Sequence, residues 1–202
     1  MPFKFLLVQG LLTLGQSMCM ASGDVYSRDS HAIATAMRGN AAGIGGFLVR
    51  YRWAFNLLPG TGNTWFVGLF ASTATVPATA DIDANLNMVG WGRSSSNPAN
   101  IHSVGNDGTG TSTNVDLGSS YPENTTAVYE GIMFATPNGT GVTKILWRKD
   151  NMSIAPDVRF DSTSADLPAS TSLLNHYAYI SGKSTAQSYG LDWMLIEEIR
   201  MN

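Results

Sequence analysis

The sequence predicts an all-β protein, an antiparallel jelly-roll β-sandwich of about ten strands with a short N-terminal arm. Charged residues make up 13% of the 202 residues, against 44% hydrophobic residues, and low charge of this kind favours strands and turns over solvated helices. Apolar residues alternate with a period of two between turn-forming Gly, Ser, Thr and Asn. We therefore expect an assembly arm over residues 1–37 and one jelly-roll domain over residues 38–202.

The first long strand is predicted over residues 47–55. Its apolar side chains occupy alternate positions and share one face: Phe47, Val49, Tyr51, Trp53 and Phe55. Arg50 and Arg52 point to the other face. The pattern is typical of a half-buried strand, with its apolar face on the core and its arginines outside.

Two hairpins follow from turn chemistry. Asn106-Asp107-Gly108 and Gly110 separate short β runs at 101–104 and 113–117, and these residue types tolerate a positive φ. A second turn, Pro137-Asn138-Gly139, separates runs at 127–135 and 142–148. Both faces of the 127–135 run are partly apolar, so we expect it to lie centrally in its sheet.

The remaining chain divides into short strands and polar connections. Further strands are predicted from Trp65 onward and at 152–154, 158–160, 173–180 and 190–199. Segments 71–84, 92–100 and 161–172 lack alternation and are expected to be loops. A helix, if present, is expected within residues 1–20.

The N-terminal segment is strongly apolar. Six of its side chains form the predicted assembly arm, which is expected to pack on a neighbouring subunit or on the edge of its own domain: Phe3, Phe5, Leu6, Leu7, Leu11 and Leu12. A secretory signal is the alternative interpretation, although Gln9 and Gly10 interrupt the apolar run. The run is too short to span a bilayer, which takes about 20 apolar residues.

Motifs for enzymatic chemistry are missing from the sequence. It contains no G-x-S-x-G elbow, phosphate-binding Gly-rich loop or paired metal-binding histidines. His31, His102 and His176 are scattered, and we expect surface or hairpin positions for them. Asp81 and Asp83 begin like a calcium loop, but the required Gly and Glu do not follow, so a weak site of another type is the open alternative. We predict no enzyme, no cofactor and no metal.

One aromatic residue stands out as a candidate contact. Trp91 lies between two glycines and is followed by a polar loop containing Arg93 and Asn97. A Trp with such neighbours suits stacking on a sugar ring or contact with a partner, so these three residues form a candidate glycan or partner site. For Trp91 itself we favour core packing or a subunit contact over glycan binding, and core packing is the expectation for most of the five Trp residues.

Charge and cysteine content limit the classes of partner. A net charge of −3 gives no bulk attraction to nucleic acid or to an anionic membrane, and we predict neither as a partner. Cys19 is the only cysteine, which excludes an internal disulfide and a Cys-based zinc site.

Several motifs, none specific alone, occur in an order that resembles a family of tailed-bacteriophage virion proteins with a jelly-roll domain of the tail or tail-fibre type. They are Arg38-Gly39-Asn40, Gly45-Gly46-Phe47, the 106–110 turn with Asp116-Leu117-Gly118, Pro137-Asn138-Gly139, and Gly190-Leu191-Asp192. The resemblance implies a structural virion protein, part of a tail fibre, tail tip or adaptor. A capsid decoration protein and a lectin-like carbohydrate-binding module are the alternatives. It further implies self-assembly, which we expect to give a trimer, contacts with other virion proteins, and a host-surface glycan as a further candidate partner.

Overall fold

The computed structural model describes residues 17–19, 25–29, 36, 45–71, 81–84, 87–137, 139–162, 166–181 and 190–200. For the first two strands and the last one, only the backbone pairing is described. The strands are β1 (Ser17–Cys19), β2 (Val25–Asp29), β3 (Phe47–Leu57), β4 (Thr64–Phe70), β5 (Met88–Arg93), β6 (His102–Asn106), β7 (Thr113–Asp116), β8 (Val128–Ala135), β9 (Val142–Arg148), β10 (Asp157–Asp161), β11 (Asn175–Ser181) and β12 (Gly190–Arg200).

These strands form two six-stranded antiparallel sheets. Sheet A has the order β1-β12-β3-β8-β9-β10, and sheet B has the order β2-β11-β4-β5-β6-β7. Within the described ranges the only helical element is a 3-10 turn at Ile82–Ala84, and no helix there is long and apolar enough to cross a membrane. The predicted fold class, an all-β jelly-roll sandwich, is confirmed.

The core lies between the sheets and is rich in aromatic rings. Strand β3 buries the five alternating apolar side chains that the sequence predicts, each at most 1% exposed. Trp53 lies at their centre, with its ring 5.6 Å from that of Trp91 and 5.8 Å from that of Tyr129. Tilted and stacked contacts of this kind add to the stabilisation from area burial. The alternation of β3 thus fixes which face of sheet A is inside.

Both predicted hairpins are present. Strands β6 and β7 pair antiparallel, and Gly108 and Gly110 in their turn have φ values of 99° and 65°. Strands β8 and β9 pair around the second turn, where Gly139 N donates to Thr136 O. Strand β8 lies between β3 and β9, so the predicted central position is confirmed.

Two strand predictions differ from the structure. Residues 152–154 form a turn after β9, in which Ile154 N donates to Asn151 O at 3.1 Å, so the strand predicted there is wrong. The chain must reverse here because β9 and β10 pair antiparallel, so residues 152–154 belong to their connection. Strands β1 and β2, which were not predicted, pair with β12 and β11. The division between arm and domain at residues 37 and 38 stays a prediction.

Candidate functional site

Trp91 does not form a surface contact. Its side chain is 1% exposed, and its ring lies 6.3 Å from that of Tyr51 and 5.6 Å from that of Trp53. The expectation of an exposed Trp91 is therefore wrong, and core packing is correct. The flanking Gly90 and Gly92 face the opposite side of sheet B, where a Cβ on Gly90 would lie 3.0 Å from the ring of Phe66. A Cβ on Gly92 would lie 2.6 Å from Cδ1 of Ile82. The two glycines therefore leave room for Phe66 and Ile82 on the far side of the sheet and do not expose the Trp.

Arg93 is also buried, at 2% exposure. Its Nε donates to Glu123 Oε1 at 2.6 Å, and its Nη2 lies 3.2 Å from the carbonyl oxygens of Pro59 and Gly60. Trp65 Nε1 donates to the same carboxylate oxygen at 2.5 Å. Burial raises the pKa of Glu123 to about 6, against the opposing effects of Arg93 and Trp65. Arg93 therefore anchors the end of the core and is not placed to meet a ligand.

Asn97 lies apart from both side chains. It is partly exposed in a turn in which its backbone N donates to Ser94 O at 3.1 Å. The structure thus does not bring the three predicted contact residues together on one surface. The six predicted arm residues, Phe3, Phe5, Leu6, Leu7, Leu11 and Leu12, lie outside the described residues.

Two of the histidines are buried. His102 lies on the β6–β7 hairpin, one of the positions expected for it, whereas His176 on β11 occupies neither a surface nor a hairpin position, so that expectation is wrong for His176. His176 is 1% exposed, and its Nδ1 lies 2.9 Å from Tyr51 Oη. His102 is 2% exposed on the β6 hairpin, and burial lowers its pKa. A buried imidazole with one polar neighbour is compatible with core packing. His31 is outside the described residues.

Asp81 and Asp83 hold neighbouring loops together. Asp83 Oδ1 accepts hydrogen bonds from Ser112 Oγ and Asn114 Nδ2, at 3.0 and 2.5 Å, and its Oδ2 accepts one from Ser94 Oγ at 2.6 Å. Asp81 accepts hydrogen bonds from Ser95 N and Oγ. In the described part of the chain, no group of three or more His, Cys, Asp or Glu side chains could hold a metal ion.

The outer face of sheet A carries a charged and aromatic row. Arg52 on β3, Glu130 on β8 and Trp147 on β9 are register partners across three adjacent strands. Arg52 donates to Glu130 Oε2 through Nη2 at 2.5 Å and Nε at 3.0 Å. Arg50 Nη2 donates to the same oxygen at 2.8 Å. Lys149 Nζ lies 3.4 Å from Glu130 Oε1 and 6.0 Å from the centroid of the Trp147 ring. We call Arg50, Arg52, Glu130, Trp147 and Lys149 the outer patch.

The outer patch holds its carboxylate in the charged form. Burial alone would raise the pKa of Glu130, but hydrogen bonds from Arg50 and Arg52 outweigh it and lower the pKa to about 2. Charge-assisted hydrogen bonds of this kind fix the guanidinium planes as well as the charge. Trp147 and the three cationic side chains remain partly exposed, so their outward surfaces are accessible to a ligand.

An apolar edge lies beside the outer patch. Strand β10 is one of the two edge strands of sheet A, and β1 is the other, in the described part of the chain. Its outward side chains, Val158 and Phe160, are 61% and 64% exposed, and their register partners on β9 are Ile145 and Thr143. Exposed apolar side chains on an open strand edge favour association with another chain.

The sequence contained part of the signal for the outer patch. Alternation places Arg50 and Arg52 on the outer face of β3, which the structure confirms. The structure places Glu130 on the outer face of β8, which the sequence did not predict. The adjacency of β3, β8 and β9 and their register could not be read from alternation. The remaining signal in the sequence was Trp147 at the end of a predicted strand, with Lys149 two positions later.

The fold of this chain is a jelly-roll β-sandwich, an architecture that it shares with legume lectins. Peanut lectin, in a structure with a nine-residue peptide, has a TM-score of 0.51 at 8% identity, over 93% of this chain and 98% of the lectin. A seed lectin of Lotus tetragonolobus gives 0.49 at 7% identity, over 93% and 95%. A family 7 alginate lyase gives 0.44 at 14% identity, over 82% and 65%. No protein-family model and no curated protein matches the sequence. At such low identity the peanut lectin match establishes the fold alone.

Proposed function

We propose that this chain is a non-enzymatic structural protein of a tailed-bacteriophage virion, a component of a tail fibre, tail tip or adaptor. The collinear motif order in the sequence supports this assignment, and a compact sandwich with an exposed apolar edge suits a subunit of an assembly. Glu123 and Glu130 are the buried glutamates of the described residues, and guanidinium groups hold both of them. Carboxylates held in this way favour a structural role over a catalytic one. Capsid decoration remains the alternative location.

The observation that carries the proposal is the apolar edge strand β10. Its partner in assembly is a second copy of this chain. An outermost strand presents unpaired backbone N–H and C=O groups, and antiparallel pairing with another edge satisfies them. Pairing two β10 strands would also join their exposed Val158 and Phe160 side chains and remove these from water, at about 25 cal/mol per Å².

The charges on β10 select a register for this pairing. Asp157, Arg159 and Asp161 alternate with the two apolar residues. If a two-fold axis places Phe160 opposite Phe160 of the second copy, Arg159 lies opposite Asp161 in both directions. Opposite charges in directly facing positions stabilise an antiparallel pair by about 0.2–1 kcal/mol. In this register the edge is therefore self-complementary in charge.

Sedimentation velocity of the purified chain tests the assembly. The wild type is expected to sediment as a dimer or an even multiple of it, and the double variant Val158→Ser/Phe160→Ser as a monomer. Met152→Ser is the matched control, because Met152 is 65% exposed but lies in a turn outside the strands. A wild-type trimer would support the copy number expected from the sequence and would contradict the two-fold pairing. A monomeric wild type would contradict assembly through this edge.

Glycan binding is the second candidate function. The outer patch favours it, since a partly exposed indole beside fixed hydrogen-bonding groups suits a sugar ring. The apolar C–H face of a pyranose packs on the aromatic ring, while guanidinium and carboxylate groups bind its hydroxyls. The lectin-like fold supports this candidate at the level of architecture only. A tail protein that binds host-surface glycans would combine both functions.

A further inference from the structure

We propose that the outer patch binds an acidic sugar chain, a polysaccharide whose residues carry carboxylates. This inference rests on the second candidate function and specifies the chemical class of its ligand. The site consists of Trp147 as the stacking surface, Arg52 and Lys149 as the cations that receive the carboxylates, and Glu130 as the group that orients them.

The geometry of the row suits an extended ligand. Arg52, Glu130 and Trp147 lie side by side on β3, β8 and β9, and two interstrand steps span about 10 Å. A row of this length, on the outer face of a sheet, accommodates a short stretch of a linear sugar chain. Lys149 lies beside the indole, 6.0 Å from its centroid, so a sugar stacked on Trp147 would place a ring carboxylate within its reach.

The charge balance of the patch favours an anion. Three cations, Arg50, Arg52 and Lys149, contact the single carboxylate of Glu130. The backbone register pairs Arg50 with Glu197 on β12, and the formal charge of these five residues, three cations and two acids, is +1. Glu130 uses Oε2 for the two arginines and Oε1 for Lys149, so it orients the cations without cancelling all of their charge.

The excess of positive charge in the outer patch contrasts with the negative charge of the whole chain. The net charge is −3, so the protein as a whole repels a polyanion. Binding of an acidic polysaccharide would therefore require a local site and would not follow from bulk attraction.

Isothermal titration calorimetry with polygalacturonate and with neutral dextran tests the inference. We expect the wild type to bind polygalacturonate and not dextran, with affinity that falls as salt is raised. Trp147→Ala and Arg52→Gln are expected to weaken binding by about tenfold or more, the equivalent of about 1.4 kcal/mol. Arg148→Gln is the matched control, because it removes an ion-paired arginine from the face of β9 opposite Trp147, outside the patch. Thermal melts of each variant establish that it is folded.

The other outcomes separate the two claims. Equal binding of both polymers, weakened only by Trp147→Ala, would overturn the acidic ligand and leave glycan binding in place. If the folded wild type binds neither polymer, the acidic ligand is contradicted. If it also fails to bind a wider panel of neutral host glycans, glycan binding itself is contradicted. Equal losses in Arg52→Gln and Arg148→Gln would overturn the site, because they would indicate bulk electrostatics.

Discussion

Arg93 Nε lies 2.6 Å from Glu123 Oε1, and both side chains are almost completely removed from solvent. The pair closes one end of the core, where Trp65 also donates to the carboxylate. Burying both charges costs free energy that their mutual attraction offsets only in part, which is why the pKa of Glu123 is raised to about 6.

The raised pKa of Glu123 predicts a pH-dependent stability. A carboxyl whose pKa is higher in the folded state binds its proton more tightly there, so its contribution is fully present below about pH 4.5 and is lost as pH rises through 6. Compared with Glu123→Gln, wild-type stability should rise by about 2 kcal/mol between pH 7.5 and 4.5. Urea unfolding of both proteins across this range measures the difference. A difference that is constant with pH, or that changes in the opposite sense, would show that the attraction of Arg93 outweighs burial.

Glu130 predicts the opposite pH dependence of stability, at lower pH. Its folded pKa of about 2 lies below the unfolded value, so its contribution is present above about pH 4.5 and is lost as pH falls toward 2. Glu130→Gln should cost about 1–2 kcal/mol at pH 7, after allowance for the partial exposure of its cationic partners. The cost should shrink below pH 4. Equal stability of the variant and the wild type at pH 7, measured by chemical denaturation, would contradict this account of the outer patch.

The ring of Trp91 leaves no room for a side chain at Gly131. A Cβ at this position would lie 2.5 and 2.6 Å from two atoms of the Trp91 ring. At these distances the two groups would overlap, so the ring or the backbone would have to move. Gly131→Ala should therefore destabilise the fold by about 1–3 kcal/mol through overpacking. Ile132→Val, on the outer face of the same strand, should cost less than about 1 kcal/mol. Thermal unfolding compares the two variants, and a neutral Gly131→Ala would mean that Trp91 can move aside.

Tyr51 joins the two sheets through a polar contact. Its hydroxyl lies 2.9 Å from Nδ1 of the buried His176, which comes from sheet B. Tyr51→Phe keeps the ring and removes the hydroxyl, so we expect a loss of about 1–2 kcal/mol from the unpaired imidazole nitrogen. Equilibrium unfolding measures the loss. A variant as stable as the wild type would indicate that His176 finds another partner without cost.

The sequence predicted the parts of the fold that depend on alternation and turn chemistry. The buried face of β3, the two hairpins and the central position of β8 follow from local pattern. Strands β1 and β2 could not be predicted, because Ser17–Cys19 and Val25–Asp29 are too short and too polar for a periodic signal. They are strands because β12 and β11 offer them an edge.

The candidate site was less accessible to prediction. Trp91 was misplaced because flanking glycines are typical of exposed turns, whereas here Gly90 lies beneath Phe66 on the far side of sheet B. The outer patch depends on which strands are neighbours, since Glu130 meets Arg52 and Trp147 only through the order β3, β8, β9. Strand order is set by long-range packing, which a single sequence does not encode in any local pattern.

Cryo-electron microscopy of phage particles purified from cells that produce this chain tests the proposed virion role most directly. The account predicts density that fits this sandwich at the tail, with neighbouring copies in contact along β10. Density over the capsid lattice would contradict the tail assignment and support decoration. Particles that lack the chain altogether, confirmed by mass spectrometry of the same preparation, would contradict a structural role in the virion.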